Sequence, residues 1–224
     1  MSFIFHQTSC AAAGRALPDR EALYWEVLFL REFFGNPREV FKLRNLTVIA
    51  LLLALRVLLG FLTIQITPEF RFFSLTFIPM AMVAYLYGPW AGLLFGLLGD
   101  TLGFIVRPLG VYFIGFAISE ATICFIYACF TYKRPVDSMK SLILRVTLAR
   151  ICIAVFVFFG LNYIWFSVFG HLFGVPPAVR EAGAFFIASG RLINNIFLLP
   201  IYVGLSVFFI RLARRLEDLR YSGT

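Results

Sequence analysis

Charged residues are scarce: only 14% of the 224 residues are Asp, Glu, Lys or Arg, against roughly 25% in soluble domains. That shortage excludes an ordinary water-facing globular fold. Cysteines are few, four in all. Cys10, Cys124, Cys129 and Cys152 form no CxxC pair, and the last three lie in apolar runs, so neither a zinc site nor a disulfide framework is indicated and no metal is expected. The two histidines, His6 and His171, fall outside the apolar runs and on opposite sides. HExxH, GxSxG, paired glutamates with a following arginine, and a phosphate-cradling Gly-Lys motif are all missing, which argues against an enzyme and against an ATPase.

What is present is apolar: 61% hydrophobic and 18% aromatic residues, with a mean hydropathy of +0.88. Runs long enough to cross a hydrocarbon core of roughly 30 Å occur six times, at 46–66, 72–87, 90–106, 110–132, 141–169 and 184–212. The expected fold class is an all-α membrane protein, a six-transmembrane-helix bundle in residues 45–224 behind a cytoplasmic segment, residues 1–44.

The net charge of +8 reads as topology rather than nucleic-acid binding. Arg15, Arg20, Arg31, Arg38, Lys42 and Arg44 precede the first span, Lys133, Arg134 and Lys140 join the fourth to the fifth, and Arg211, Arg214, Arg215 and Arg220 close the last. The opposite loops carry only Arg71, Arg107 and Arg180. By the positive-inside rule both termini are cytoplasmic. The first 44 residues lack the basic, apolar, small-residue order of a signal peptide and are expected to stay on the chain. Within them "LYWEVLFLREFF", 23–34, has amphipathic spacing, read as a helix packing at the membrane interface ahead of a partner site.

"YGPWAGLLFGLLGDTLG" carries glycines at 88, 92, 96, 99 and 103, steps of three and four that put small residues along one helix stripe and allow close helix approach. "YGP" reads as the tight turn between the second and third spans, with Pro89 at a helix start. Ala50 and Ala54 form a small-xxx-small pair, read on spacing alone as internal packing. Arg56, two residues on, points to the opposite side of the helix.

Depth is the next signal. Arg56, Asp100, Glu120 and Asn194 each lie about ten residues into a span, with Arg191 close by. Two accounts are open: internal ion pairs that hold helices together, or the lining of a polar ligand site. The second is favoured by an aromatic collar of Phe72, Phe73, Phe77, Tyr112, Phe113 and Phe116 at the outer span ends, beside Arg71 and Arg107. Rings stack on planar ligands and guanidinium forks grip carboxylates; an interfacial aromatic belt is the plain alternative for any one ring.

"ALLLALRVLLGFLTI", "LYGPWAGLLFGLLGDTLG", "YFIGFAISEA" and "RLINNIFLLPIYVGL" resemble, in order, the first, third, fourth and last helices of the substrate-binding S components of energy-coupling factor (ECF) vitamin transporters, folate type. The resemblance implies a non-catalytic six-helix bundle in the bacterial cytoplasmic membrane. It captures a vitamin, folate being favoured, and topples to deliver it. A transmembrane coupling subunit and two ATPase subunits, which alone use ATP, would drive it, and no cofactor is expected in the chain itself. It also implies that Ala50 and Ala54 contact the coupling subunit, reversing the reading from spacing. "YFIGFAISEA" departs from the family pattern, which usually has a second proline before the glycine and no acid at Glu120. A carboxylate there would meet the amino-oxo edge of a pterin, or signal another vitamin.

The expected roles follow. Arg71, Phe72, Phe73, Phe77, Arg107, Tyr112, Phe113, Phe116, Glu120, Arg191, Asn194 and Asn195 bind the ligand. Asp100 pairs with Arg56 or Arg191 at the cavity floor. A six-span cell-envelope scaffold is the competing function, and it has no need of a mid-depth polar layer.

Overall fold

The structure, a computed structural model, describes the backbone of residues 40–65, 71–108, 112–133, 138–173 and 180–222. The expected helix at 23–34 lies outside these residues. Helix α1 (Leu43–Phe61) is followed by two short antiparallel strands, β1 (Ile64–Gln65) and β2 (Arg71–Phe73). Then come α2 (Phe77–Val106), α3 (Ile114–Thr131), α4 (Met139–Ile153), a wide π-wound segment (Ala154–Leu161), α5 (Asn162–Phe169), a 3-10 turn (Gly170–Phe173), α6 (Arg180–Phe197) and α7 (Leu199–Ser222).

Among the described residues, four helical stretches are long and apolar enough to cross a membrane: Leu43–Phe61, Phe77–Val106, Ile114–Thr131 and Met139–Phe169. The pair Gly183–Phe197 and Leu199–Arg215, bent by 60°, makes a fifth if taken as one broken span. Among the described residues the fold of this membrane protein is helical but for one small strand pair. The structure adds three details to the expected runs. Residues expected to open the second span at 72 are in β2, and the helix begins at Phe77. The fifth run is one continuous helical stretch, Met139–Phe169, with the π-wound segment inside it. The last run breaks at Leu198, because Pro200 has no N–H for the Ile196 carbonyl and its ring crowds that carbonyl.

Helix α2 contains both the second and third expected spans. Gly88 inside it has φ 83°, a left-handed backbone that breaks the helical path. The two ends of α2 nevertheless meet the same neighbour. Thr63 shares a 3.1 Å hydrogen bond with Ser74, which in turn contacts Thr76 at 2.9 Å; at the far end Arg107 Nη1 donates to the Gly60 carbonyl at 3.4 Å. A straight 30-residue helix would hold its ends about 45 Å apart, so the chain reverses at Gly88. There the Tyr132 ring, one residue past α3, closes over the turn: a Cβ on Gly88 would sit 2.9 Å from it.

The glycine stripe beyond the turn makes the tightest seam of the bundle. A Cβ at Gly92 would meet the Cys124 backbone oxygen at 3.3 Å and one at Gly96 would overlap the Ala121 backbone, so α2 and α3 approach closely where these side chains are missing. The main core lies between both halves of α2, α3, α4 and α7, with Met80, Val83, Phe95, Tyr127, Val146, Ile153 and Ile210 buried. Helix α1 stands at the edge, with Ala50 and Ala54 exposed and Arg56 buried on the opposite face.

Candidate ligand site and relatives

Arg56 is 4% exposed, and its Nη2 donates to Glu120 Oε2 at 3.1 Å. Its guanidinium fills the space above Gly99, where any Cβ would overlap it. The stripe glycine next to Asp100 therefore makes room for a side chain rather than for a helix backbone. Glu120, expected on the ligand, is thus a carboxylate on Arg56, and Asp100 is half-buried one residue past the Gly99 contact.

Arg191 has a separate setting. Its Nη1 donates to Asn162 Oδ1 at 2.6 Å, and its guanidinium lies 5.3 Å from the Phe166 ring and 6.0 Å from that of Phe116, within cation–π range. Asn162 is buried, and its amide nitrogen donates to the carbonyls of Val157 and Phe158 at 3.0 and 3.2 Å. These carbonyls belong to the π-wound segment, whose wide turns leave backbone acceptors for a side chain to satisfy. Asn195 donates to the Arg191 carbonyl at 2.9 Å. Asn194 is buried and its carbonyl takes the Leu198 N–H at 3.0 Å, at the break between α6 and α7.

The expected collar divides in two. Phe113 and Phe116 join Trp165, Phe166 and Phe169 in one cluster, ring centroids 5.1 to 6.1 Å apart, with the Trp165 indole donating to Ser119 Oγ at 2.9 Å. Phe73 and Phe77 instead pack on Tyr202, at 5.7 and 4.8 Å. Tyr112 belongs to neither cluster; it packs on Phe104 and its hydroxyl contacts Thr101 at 2.9 Å. Arg107 is engaged with the end of α1. Arg71 and Phe72 lie on β2, and their side chains are outside the described residues.

Beside the Tyr202 cluster is a cation that depth reasoning omitted. Arg150 is 6% exposed, with its guanidinium 3.9 Å from the Tyr202 ring and 4.8 Å from that of Phe77. The same depth criterion applied to the fifth run, 141–169, would have found it. Trp165, Phe166 and Phe169 were also missed, since a Phe-rich run on a span reads as lipid-facing.

The architecture is thus a helical membrane bundle with arginines drawn into aromatic surroundings. Residues 44–210 match the family described as ECF transporter, substrate-specific component. The chain belongs to that family. Members are substrate-binding parts of transporters, not enzymes. This S component is 28% identical over 167 residues to the folate transporter FolT of Leuconostoc mesenteroides, covering 75% of this chain and 84% of that one. It is 39% identical over 108 residues to the FolT of Clostridium novyi, covering 48% of this chain and 59% of the relative. Its fold is that of a solved structure described as FolT bound with folic acid, with TM-score 0.62 and 23% identity over 76% of this chain and 94% of that chain.

Proposed function

We propose that this S component captures folate from outside a bacterial cell and delivers it through an ECF importer. The observation that carries the reading is the interior charge. Among the described residues three guanidinium groups, Arg56, Arg150 and Arg191, are drawn into the bundle, beside two carboxylates, Glu120 and Asp100. Cations held in apolar surroundings without enough carboxylates favour an anionic ligand, and the rings about Arg150 and Arg191 suit a flat one. Folate is planar at its pterin and anionic at its glutamate. The two FolT relatives support the same choice.

In this reading the chain crosses the bacterial cytoplasmic membrane six times with both termini inside. The reversal at Gly88 supports two spans within α2, and the 60° bend at Leu198 supports one broken last span. A coupling subunit meets the exposed Ala50 and Ala54 face, two ATPase subunits consume ATP, and the S component needs no cofactor. Another planar anionic vitamin is the alternative ligand.

Titration of the purified protein with folic acid tests the proposal. Trp165 packs on Phe113 at 5.5 Å, beside the Arg191 cluster, so its emission should change on binding, and Trp165→Phe should remove most of that change. No saturable response, and no shift of thermal unfolding by folic acid, would overturn folate as the ligand.

A further inference from the structure

Arg150 is buried, and among the described residues no carboxylate pairs with it. It is the twelfth residue of α4, about 17 Å along that helix from Met139 and so near the middle of a hydrocarbon core of roughly 30 Å. Phe77, Tyr127 and Tyr202, from α2, α3 and α7, surround its guanidinium at 4.8, 5.9 and 3.9 Å from the ring centroids. Among the described residues no hydrogen bond or ion pair reaches that guanidinium, and its Nη2 is buried with no acceptor. The nearby hydroxyl of Tyr127 is turned to Ser206 at 3.3 Å. Phe73 on β2 stacks against Tyr202 at 5.7 Å, 14° from parallel. The caged cation therefore lies behind the strand pair that follows the first helix.

Ring faces attract a cation but do not accept its in-plane N–H groups. A buried donor without an acceptor is costly, and more so when it carries charge. Arg56 and Arg191 each have at least one acceptor, Glu120 and Asn162, although Arg56 Nε and Nη1 are also buried without one. Arg150 has the donor fork, the aromatic walls and the burial of a binding site, and lacks only the acceptor.

We infer that Arg150 anchors the vitamin, its N–H fork taking a pair of acceptors on the ligand. The inference rests on the folate reading above. Two parts of folic acid offer such a pair: a carboxylate, and the O4/N5 edge of the pterin, which resembles the O6/N7 edge of guanine that arginine binds bidentately.

The test uses the full-length purified protein, wild type, Arg150→Gln and Arg150→Lys, with folic acid, p-aminobenzoylglutamate and 6-methylpterin as probes. Arg150→Gln is expected to weaken folic acid on the order of 100-fold, the loss typical of removing one partner of a buried charged hydrogen bond. Arg150→Lys should recover only part of it, because an ammonium lacks the fork. The ligand-free Arg150→Gln protein should unfold at the wild-type temperature or above, since it loses a cation with no acceptor. Loss of affinity for p-aminobenzoylglutamate alone assigns the carboxylate, and loss for 6-methylpterin alone assigns the pterin edge. Folic acid affinity within threefold of wild type overturns the inference. So does a lowered unfolding temperature of the ligand-free variant accompanied by equal weakening of both fragments, which marks a packing role. Failure of the wild type itself to bind folic acid removes the folate reading and this inference with it.

Discussion

Arg56 of α1 and Glu120 of α3 meet at 3.1 Å across the surface of α2, with the arginine lying where Gly99 has no side chain. Three helices are joined by that one contact. The arginine is almost wholly buried, while the Glu120 side chain keeps 18% of its surface exposed. Breaking such a pair leaves a stranded buried charge, which typically costs 3–5 kcal/mol.

Glu120→Gln is therefore expected to lower the stability of the ligand-free protein by about 3 kcal/mol, the lower end because Glu120 is partly exposed. Thermal unfolding in detergent or nanodiscs checks it. Unchanged melting together with weakened folic acid binding would return Glu120 to the ligand.

Glycines of one stripe should respond differently to the same methyl group. Gly96→Ala forces α2 off the Ala121 backbone and Gly99→Ala displaces the Arg56 guanidinium, so both should destabilise, by about 1–3 kcal/mol for overpacking. Gly103 has open space where a Cβ would go, and Gly103→Ala should be neutral or slightly stabilising, as expected in a helix interior. Equal effects at all three positions would contradict the packing described.

Ala50 and Ala54 lie exposed on α1, opposite the buried Arg56. Replacing both with Leu should leave folic acid binding within twofold of wild type and abolish uptake into cells that supply the coupling subunit and the ATPases. A close helix contact is lost when bulk intrudes on a small-residue face. Uptake at the wild-type rate would move the docking face elsewhere.

Asn162→Leu removes the acceptor from Arg191 and both donors from the π-wound carbonyls. Binding should weaken on the order of 10-fold or more through loss of the charge-assisted hydrogen bond, with a lower unfolding temperature as well. Asn162→Asp, which keeps an acceptor for Arg191, should retain more affinity than Asn162→Leu. Isothermal titration of both variants decides the order.

The sequence made some of this legible and not the rest, for physical reasons. Helix periodicity carried the opposed faces of α1, since Ala54 and Arg56 are two residues apart and a helix turns about 200° between them. The turn at Gly88 was carried by Gly-Pro chemistry, and the α2–α3 seam by glycine spacing. Pairing was not carried: depth places Asp100, Glu120 and Arg56 in one layer, but which carboxylate reaches the arginine depends on helix rotation. Arg150 has its aromatic partners on three other helices, so no local motif announces it. The break at Leu198 did have a signal, Pro200 deep in an apolar run, but proline is common in membrane helices and does not by itself say how far one bends.

The π-wound segment Ala154–Leu161 sets a phase as well as a path. Arg150 below it addresses the Tyr202 cluster, and Asn162 above it addresses Arg191. Wider turns rotate the upper length of the rod relative to the lower one, so a single rod serves two clusters that an ordinary winding would not reach in the same register. Shortening that stretch by one residue is the smallest edit that would leave every side chain of both clusters in place and still aim them past each other.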